Sequence, residues 1–424
     1  MADATEDGPG RRGSGGGGRM RPLPLLPLAV VGGGVHFTIV SVSQLFFVLY
    51  ASALGASPAL IGLMVTLRAI LPLLLSLPSG GLIDRIGALR VLQLGGLGTI
   101  AALALMIWSP TLLLLAASQA LIGLTTLLTA TSLQVLVSAG SKEERDPRIA
   151  TYSAWCSGGN MVGPLIGGAV ASGVNALPAF AAAAPVAGYR AAFLAILVLI
   201  AVFVLLVTLA GRAAPPATPK RNDKASLTGF REGLALARLP GVQYGLMGTF
   251  LIHFLQSVWT SFFPLFLEQL GYAAFAISVF VALRGGAALL SRAALPRVMK
   301  LASQERILAG AGCVAALCLM AIPALGPLPV ALGLLTVLLG AATGINMPVS
   351  TIIMVDDTHE RDRGKVMGLR LLTNRASQVV GPAAFGVAGG AVGLGAAFVS
   401  GGALLLALLL GFAGLAGKRP PSGS

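Results

Sequence analysis

Two stretches of this 424-residue chain decide its architecture: FFVLYASALGASPALIGLMVTLR, Phe46 to Arg68, and FFPLFLEQLGYAAFAISVFVALR, Phe262 to Arg284. They align without a gap at an offset of 216 residues, the distance from Phe46 to Phe262. They share the FF pair, Leu49 with Leu265, an LG pair, Ile61 with Ile277 and the closing arginine. A second correspondence lies further on. ERD followed by VGPLIGG, residues 144–168, is matched by ERD followed by VGPAAFG, residues 360–386. Each Gly-Pro pair falls in the fifth apolar segment of its half. Recurrence at a fixed long period means a duplicated unit.

What is duplicated is apolar. The chain is 56% hydrophobic and only 10% charged, with mean hydropathy +0.88. Soluble domains carry about a quarter charged residues. About 20 apolar residues span a bilayer as a helix, whereas a barrel strand needs about 10 alternating ones. The pattern predicts an all-α polytopic membrane protein with twelve spans. These are 26–50, 58–82, 91–108, 111–138, 149–172, 189–210, 241–266, 272–296, 305–326, 328–353, 365–389 and 393–416. Cys156, Cys313 and Cys318 all fall in these spans and read as small apolar side chains. They form no metal spacing or disulfide framework. Residues 1–24 are polar, basic and Gly-rich, and read as a disordered tail rather than a signal peptide.

The net charge of +14 reflects topology. Nearly all loop charge sits in DRIGALR, SKEERDPR, the segment 212–240, RVMKLASQER and DDTHERDRGK. The alternate connections hold only Arg190 and Glu268. The positive-inside rule makes the basic set and both termini cytoplasmic. This placement removes the support for nucleic-acid binding. Short loops and heavy Ala/Gly use suggest a bacterial inner membrane.

The expected organisation is a cytoplasmic tail (1–24), a six-helix half (25–211), a linker (212–240), a second six-helix half (241–417) and a short tail (418–424). Two pseudo-symmetric bundles around a cleft make a transporter plan, in which rocking exposes the cleft to either side. There is no room in the loops for a soluble catalytic domain. No nucleophile triad or metal cluster is visible, so an enzyme is not expected.

With GGLIDRIGALR between the second and third spans, the chain resembles the major facilitator superfamily over nearly its whole length. The family pattern matches at Gly80, Asp84, Arg85 and Gly87, with Arg90 following after two non-basic residues. The resemblance implies a cytoplasmic latch, with Asp84 as its acid and Arg85 as its base. An ordinary charged turn that orients the protein fits the same residues. The second half has Pro296 and Lys300 at the positions of Gly80 and Asp84, so this device is asymmetric.

GNMVGPLIGG in the fifth span, with Gly159, Gly163, Pro164, Gly167 and Gly168, resembles the antiporter motif of exporters in this superfamily. Gly381 and Pro382 are its counterparts in the second half. A small-residue ridge lets helices approach closely, and a proline can bend one. Helix packing and a gating hinge both fit. One position departs from the family. Gln119 stands four residues before Gly123, where the family often has an arginine tied to proton coupling, and glutamine supplies no fixed charge.

An ionisable residue inside a span is a functional candidate by default. None of the 15 acidic residues falls near a predicted membrane centre. Arg68 and Arg284 do, at matched positions, with Arg292, Arg370 and Arg375 nearer the cytoplasm. Arginine stays charged and presents several donors. The matched pair can flank an anion, or each can satisfy helix carbonyls. His36 and His253 sit near mid-depth in the first helix of each half and are the candidate proton carriers or substrate contacts. A histidine satisfied within a helix interface fits as well. The cavity face predicted around them holds Ser43, Gln44, Phe47, Tyr50, Gln256, Trp259, Thr260 and Phe263.

The first functional reading is secondary active transport of a small organic solute by rocker-switch alternating access, as proton-coupled efflux. It needs no cofactor and draws on the proton gradient. A second reading is symport or exchange of an anionic metabolite, supported by arginines without central acids. A third is a nontransporting receptor or assembly protein on the same fold. Expected partners are a small anionic or amphipathic solute and membrane lipid, with no nucleic acid. Many transporters of the family it resembles are monomeric, and the sequence itself leaves the oligomeric state open.

Overall fold

The computed structural model describes residues 25–109, 111–212 and 235–416. The predicted tails and residues 213–234 of the predicted linker lie outside these residues. Among the described residues are twelve long helices. In the first six, α1 is Leu25–Ala53, α2 Pro58–Ile86, α3 Ala88–Trp108, α4 Leu112–Val137, α5 Lys142–Asn175 and α6 Val186–Gly211. In the last six, α7 is Pro240–Gln269, α8 Ala274–Val298, α9 Gln304–Leu325, α10 Pro329–Asp356, α11 Arg363–Val392 and α12 Leu394–Ala416. Ten of them are long and apolar enough to cross a membrane. The chain is an all-α polytopic membrane protein. The two helices outside that set, α5 and α11, combine charged opening turns with a run of glycines.

Local chemistry sets the helix ends. The Ser57 hydroxyl accepts from the Leu60 N–H, and Pro58 takes the first helical position of α2. Helix α3 stops at Trp108, and the Thr111 hydroxyl caps α4 by accepting from the Leu114 N–H. Two segments predicted as loops are helical instead. SKEERDPR begins at Ser141, just before α5, and its remaining residues form the opening turns of that helix. Glu143 and Glu144 lie in the first turn, where carboxylates complement the helix dipole. LIDRI closes α2, and Gly87 alone makes the turn, at φ 89°. A side chain there would be strained.

The helix contacts repeat. Contacts of α1 with α5, α2 with α4 and α3 with α4 recur as α7 with α11, α8 with α10 and α9 with α10. The first and last six helices meet along three seams: α2 with α11, α5 with α8 and α1 with α7. The first two seams are equivalent under the repeat. Gly168 on α5 packs against Ser278 on α8, and Gly386 on α11 packs against Gly62 on α2. A Cβ added at Gly62 would meet the Pro382 carbonyl oxygen and would stand 3.0 Å from the Gly386 Cα. The Thr66 hydroxyl donates to the Val379 carbonyl at 3.1 Å, and the Phe275 N–H donates to the Ser172 hydroxyl at 3.1 Å. On α1 and α7, Gln44 Nε2 donates to Thr260 Oγ1 at 3.1 Å, across a sequence separation of 216. That separation is the repeat offset, so a residue bonds to its own counterpart. The pseudo-two-fold axis therefore passes through this hydrogen bond.

Candidate functional site

The long helices run alternately up and down, so Leu25, Ala416 and the basic connections among the described residues lie on one face, here the terminal face. The connections α1–α2, α5–α6 and α7–α8 lie on the opposite face. All the seam contacts just named run from mid-depth to the opposite face. There the Tyr189 hydroxyl on α6 donates to Glu268 Oε1 on α7 at 2.9 Å. Arg190 Nε donates to the Tyr50 hydroxyl at 3.1 Å, and that hydroxyl reaches the Ser109 carbonyl at 3.3 Å. The Tyr189–Glu268 bond and the seams thus close the opposite face between the two sets of helices, while the Arg190–Tyr50–Ser109 chain braces it within the first set.

Below this closure lies a central cavity of about 420 Å³. Seven helices supply its walls: α1, α2, α4 and α5 from the first six, and α7, α8 and α11 from the last six; α10, the counterpart of α4, stands one layer back, with Gly340 behind Arg284. On α4 the lining runs from Gly123 to Gln134, in the half of that helix nearer the terminal face. The cavity therefore extends toward the terminal face.

The structure brings most of the predicted residues together here. His36, Gln44, Arg68, His253, Gln256, Trp259, Thr260 and Arg284 all line the cavity. Ser43 does not line it but holds Arg68, accepting from Nη2 at 3.1 Å, while the Val40 carbonyl lies 3.4 Å from the same nitrogen. Arg68 Nη1 is buried without a partner. Arg284 sits in the matching place, yet its neighbour differs. Position 43 corresponds to position 259, so the serine is replaced by Trp259. The Arg284 guanidinium lies 4.6 Å from the centre of that ring. Phe263 stacks on Trp259 at 4.5 Å and 17°. A cation over an aromatic face is attracted to it, by up to about 2 kcal/mol when desolvated. Each arginine backbone is pinned the same way, with Gly123 against the Arg68 carbonyl and Gly340 against the Arg284 carbonyl.

Phe47, Tyr50 and Phe263 do not line the cavity, contrary to the predicted face. Phe47 is packed in the core, Tyr50 is committed to Ser109 and Arg190, and Phe263 backs Trp259. His253 Nδ1 lies 2.8 Å from the Thr249 carbonyl one turn earlier on its own helix. That bond places the proton on Nδ1 and leaves Nε2 to accept. His36 stands edge-on to Phe37 at 5.3 Å.

The cavity also holds polar residues that the sequence reading did not assign to it: Asn160, Gln134, Gln378 and Arg375. Their signal was polarity inside an apolar span. Three arginines, Arg68, Arg284 and Arg375, line the cavity, and none of its described lining residues is Asp or Glu. Arg284 Nε, Arg375 Nε and Trp259 Nε1 are buried without a partner, as is Arg68 Nη1. Every orphaned polar atom on a lining residue is thus an N–H donor. An unpaired buried donor costs about 1–3 kcal/mol.

The remaining motif residues lie elsewhere. Asp84, Arg85 and Arg90 are exposed at the terminal face, and Asp84 has no ion pair among the described residues. Gly80 lies in α2 near that face. In α5, Gly159, Gly163 and Gly167 approach α1 at Gly34, Thr38 and Phe46, while Gly168 takes the seam with α8. Pro164 is buried beside them. In α11, Gly381 meets Ser257 and Phe254 of α7, and Pro382 reaches the cavity. Gln119 is wholly buried, its Nε2 3.7 Å from Met106 Sδ, and it is not part of the cavity wall.

Residues 29–335 match the family described as Major Facilitator Superfamily. No curated protein sequence matches the chain. Similar solved structures include a bacterial homologue of the human lysosomal transporter Spinster in an inward-facing, unoccupied conformation. It has 14% identity and TM-score 0.76, covering 94% of this chain and 98% of that one. The nucleoside transporter NupG has 14% identity and TM-score 0.72, covering 94% and 100%. A POT family transporter in complex with 5-aminolevulinic acid has 14% identity and TM-score 0.71, covering 93% and 96%. At these identities the likeness is one of fold.

Proposed function

Because this chain belongs to the major facilitator superfamily, we propose that it is a secondary transporter for a small organic anion. The observation that carries the proposal is the cavity's charge. Three guanidinium groups meet no carboxylate there, and their unpaired N–H groups ask for an acceptor. An anion supplies acceptors only, and charge-assisted bonds to it are about twice as strong as neutral ones. The cation-rich wall does not favour the efflux of cationic or neutral amphipaths. Symport or exchange of an anion accounts for it directly.

The mechanism is alternating access between two six-helix halves joined by the linker. By the positive-inside rule the terminal face is cytoplasmic, in a bacterial inner membrane. The state described here is then inward-open. Solute enters from the terminal face and bonds to Arg68 and Arg284, one from each half, so its binding draws the halves together. Closure brings the Asp84 and Arg85 turn against the second half as the latch. The seams at Gly168 and Gly62, the Gln44–Thr260 bond and the Tyr189–Glu268 bond part on the other side. His36 and His253 face the solute as hydrogen-bonding groups able to take up a proton with it.

The test is counterflow into liposomes holding the purified chain, across a panel of anionic, zwitterionic, neutral and cationic solutes. The expected result is exchange of one or more anions, abolished by Arg68→Gln with Arg284→Gln. Exchange confined to cations or neutral solutes contradicts the proposal.

A further inference from the structure

The anion reading concerns the central cavity, but the positive charge does not stop there. Helix α8 carries three basic residues and no acidic one, and α11 carries four and none. Two of these seven are neutralised at the helix end, Arg363 by Glu360 at 3.9 Å and Lys365 by Asp362 at 2.9 Å. Arg284, Arg292, Arg370 and Arg375 have no carboxylate partner among the described residues. Two of them, Arg284 and Arg375, line the cavity. The other two lie on the terminal side of it. Arg292 is eight residues beyond Arg284, roughly 12 Å along the helix, and Arg370 is five residues, roughly 7.5 Å, from Arg375.

These two outer arginines converge. Arg292 Nη2 lies 3.8 Å from Met347 Sδ, and Arg370 Nη2 donates to the Met347 carbonyl at 3.1 Å. Met347 on α10 corresponds to Ala130 on α4, by the register that matches Gly340 with Gly123. Ala130 is part of the cavity wall. The Arg370 Nε is buried and has no partner. Nothing in the first six helices mirrors this lane. The counterpart of Arg292 is Ser76, and by the register that matches Gly381 with Gly163 those of Arg370 and Arg375 are Tyr152 and Ser157. A helix-packing role would be expected to appear in both halves, because the packing itself does.

We infer that Arg292 and Arg370 form a second anion site, in the vestibule between the terminal face and the central cavity, which holds the solute on its way in or out. The inference rests on the anion reading of the cavity and adds a distinct site. It takes a small oxyanion, a carboxylate or a phosphate-like group, held between two guanidinium groups over Met347. A cleft lined by one sign of charge concentrates counter-ions and raises their encounter rate. The lane on α8 and α11 continues from this site to Arg284 and Arg375.

Equilibrium binding of radiolabelled sulfate to the purified full chain tests it. The expected stoichiometry is two, falling to one in Arg292→Gln/Arg370→Gln and to one in Arg68→Gln/Arg284→Gln. Arg292→Lys/Arg370→Lys keeps the charge and should keep two, and a monodisperse elution profile checks folding of each variant. One equivalent that is lost only with Arg292 and Arg370 upholds the vestibule site and contradicts the central one. One equivalent that survives Arg292→Gln/Arg370→Gln, or no binding at all, overturns the inference.

Discussion

The seam between α5 and α8 offers a perturbation that acts on one state alone. In Gly168→Ala the new Cβ would sit 2.7 Å from the Ser278 Cβ and 3.1 Å from the Phe275 Cα. Phe275 contributes backbone, which cannot swing aside, so the helices must separate. Overpacking a tight contact costs about 1–3 kcal/mol. In the alternate state the seam is parted and the methyl group has room. The whole cost then falls on the state closed at the opposite face. A differential of about 1–3 kcal/mol shifts a two-state equilibrium by about 5- to 150-fold. The assay places a reporter at Val281→Cys, a cavity residue on α8, after replacing the three native cysteines. A membrane-impermeant thiol reagent applied from the opposite face should label it faster by that factor when Gly168→Ala is present. Unchanged labelling in a folded variant would falsify the idea that this seam is the moving contact.

The equivalent seam should behave alike. Gly62→Ala, whose methyl group meets the Pro382 carbonyl and the Gly386 backbone, should open the opposite face at least as far in the same labelling assay, and a closed face would contradict the symmetry. Gln44→Ala and Thr260→Val each remove one neutral hydrogen bond, worth about 0.5–1.5 kcal/mol. A double-mutant cycle on the same equilibrium should recover that coupling, and additive effects would show that the bond is not part of the gate. Tyr189→Phe takes from Glu268 its donor on α6, with Ser52 on α1 still beside the carboxylate, and should also raise labelling at the opposite face, with no change in sulfate binding. Trp259→Ser copies the first-half residue onto the second. Arg284 then loses its ring, by up to about 2 kcal/mol in a desolvated site. Transport should weaken more than folding does, as read by initial rate against thermal midpoint.

The duplication was legible because it is written in whole segments. The offset between the FF pairs placed Arg68 opposite Arg284, and the same register puts Gln44 on Thr260. Which sector of a helix faces the cavity was far less legible. Helix α1 is buried on nearly all sides, so no polar stripe points to the cleft. Helical periodicity therefore puts His36, Ser43, Phe47 and Tyr50 on one face with Gln44 beside them, although of these only His36 and Gln44 reach the cavity. Phe263 stacks behind Trp259 and does not reach the cavity wall. Charged helix ends were misread for a different reason. SKEERDPR is as polar as a loop, yet its acids suit a helix start and its chain continues the helix beyond the apolar span. The vestibule arginines were visible as residues, but their convergence on Met347 needs three helices in place.

The central claim is that one arginine from each half holds the anion. It is tested most directly by the dissociation constant of the best counterflow substrate for wild type, Arg68→Gln, Arg284→Gln and the double variant. A hydrogen bond to a charged group is worth about 1.5–3 kcal/mol, which converts to a loss of roughly 10- to 150-fold for each single variant. Both single variants should lose affinity within that range, and the double variant should lose more. Wild-type affinity in the folded double variant would contradict it.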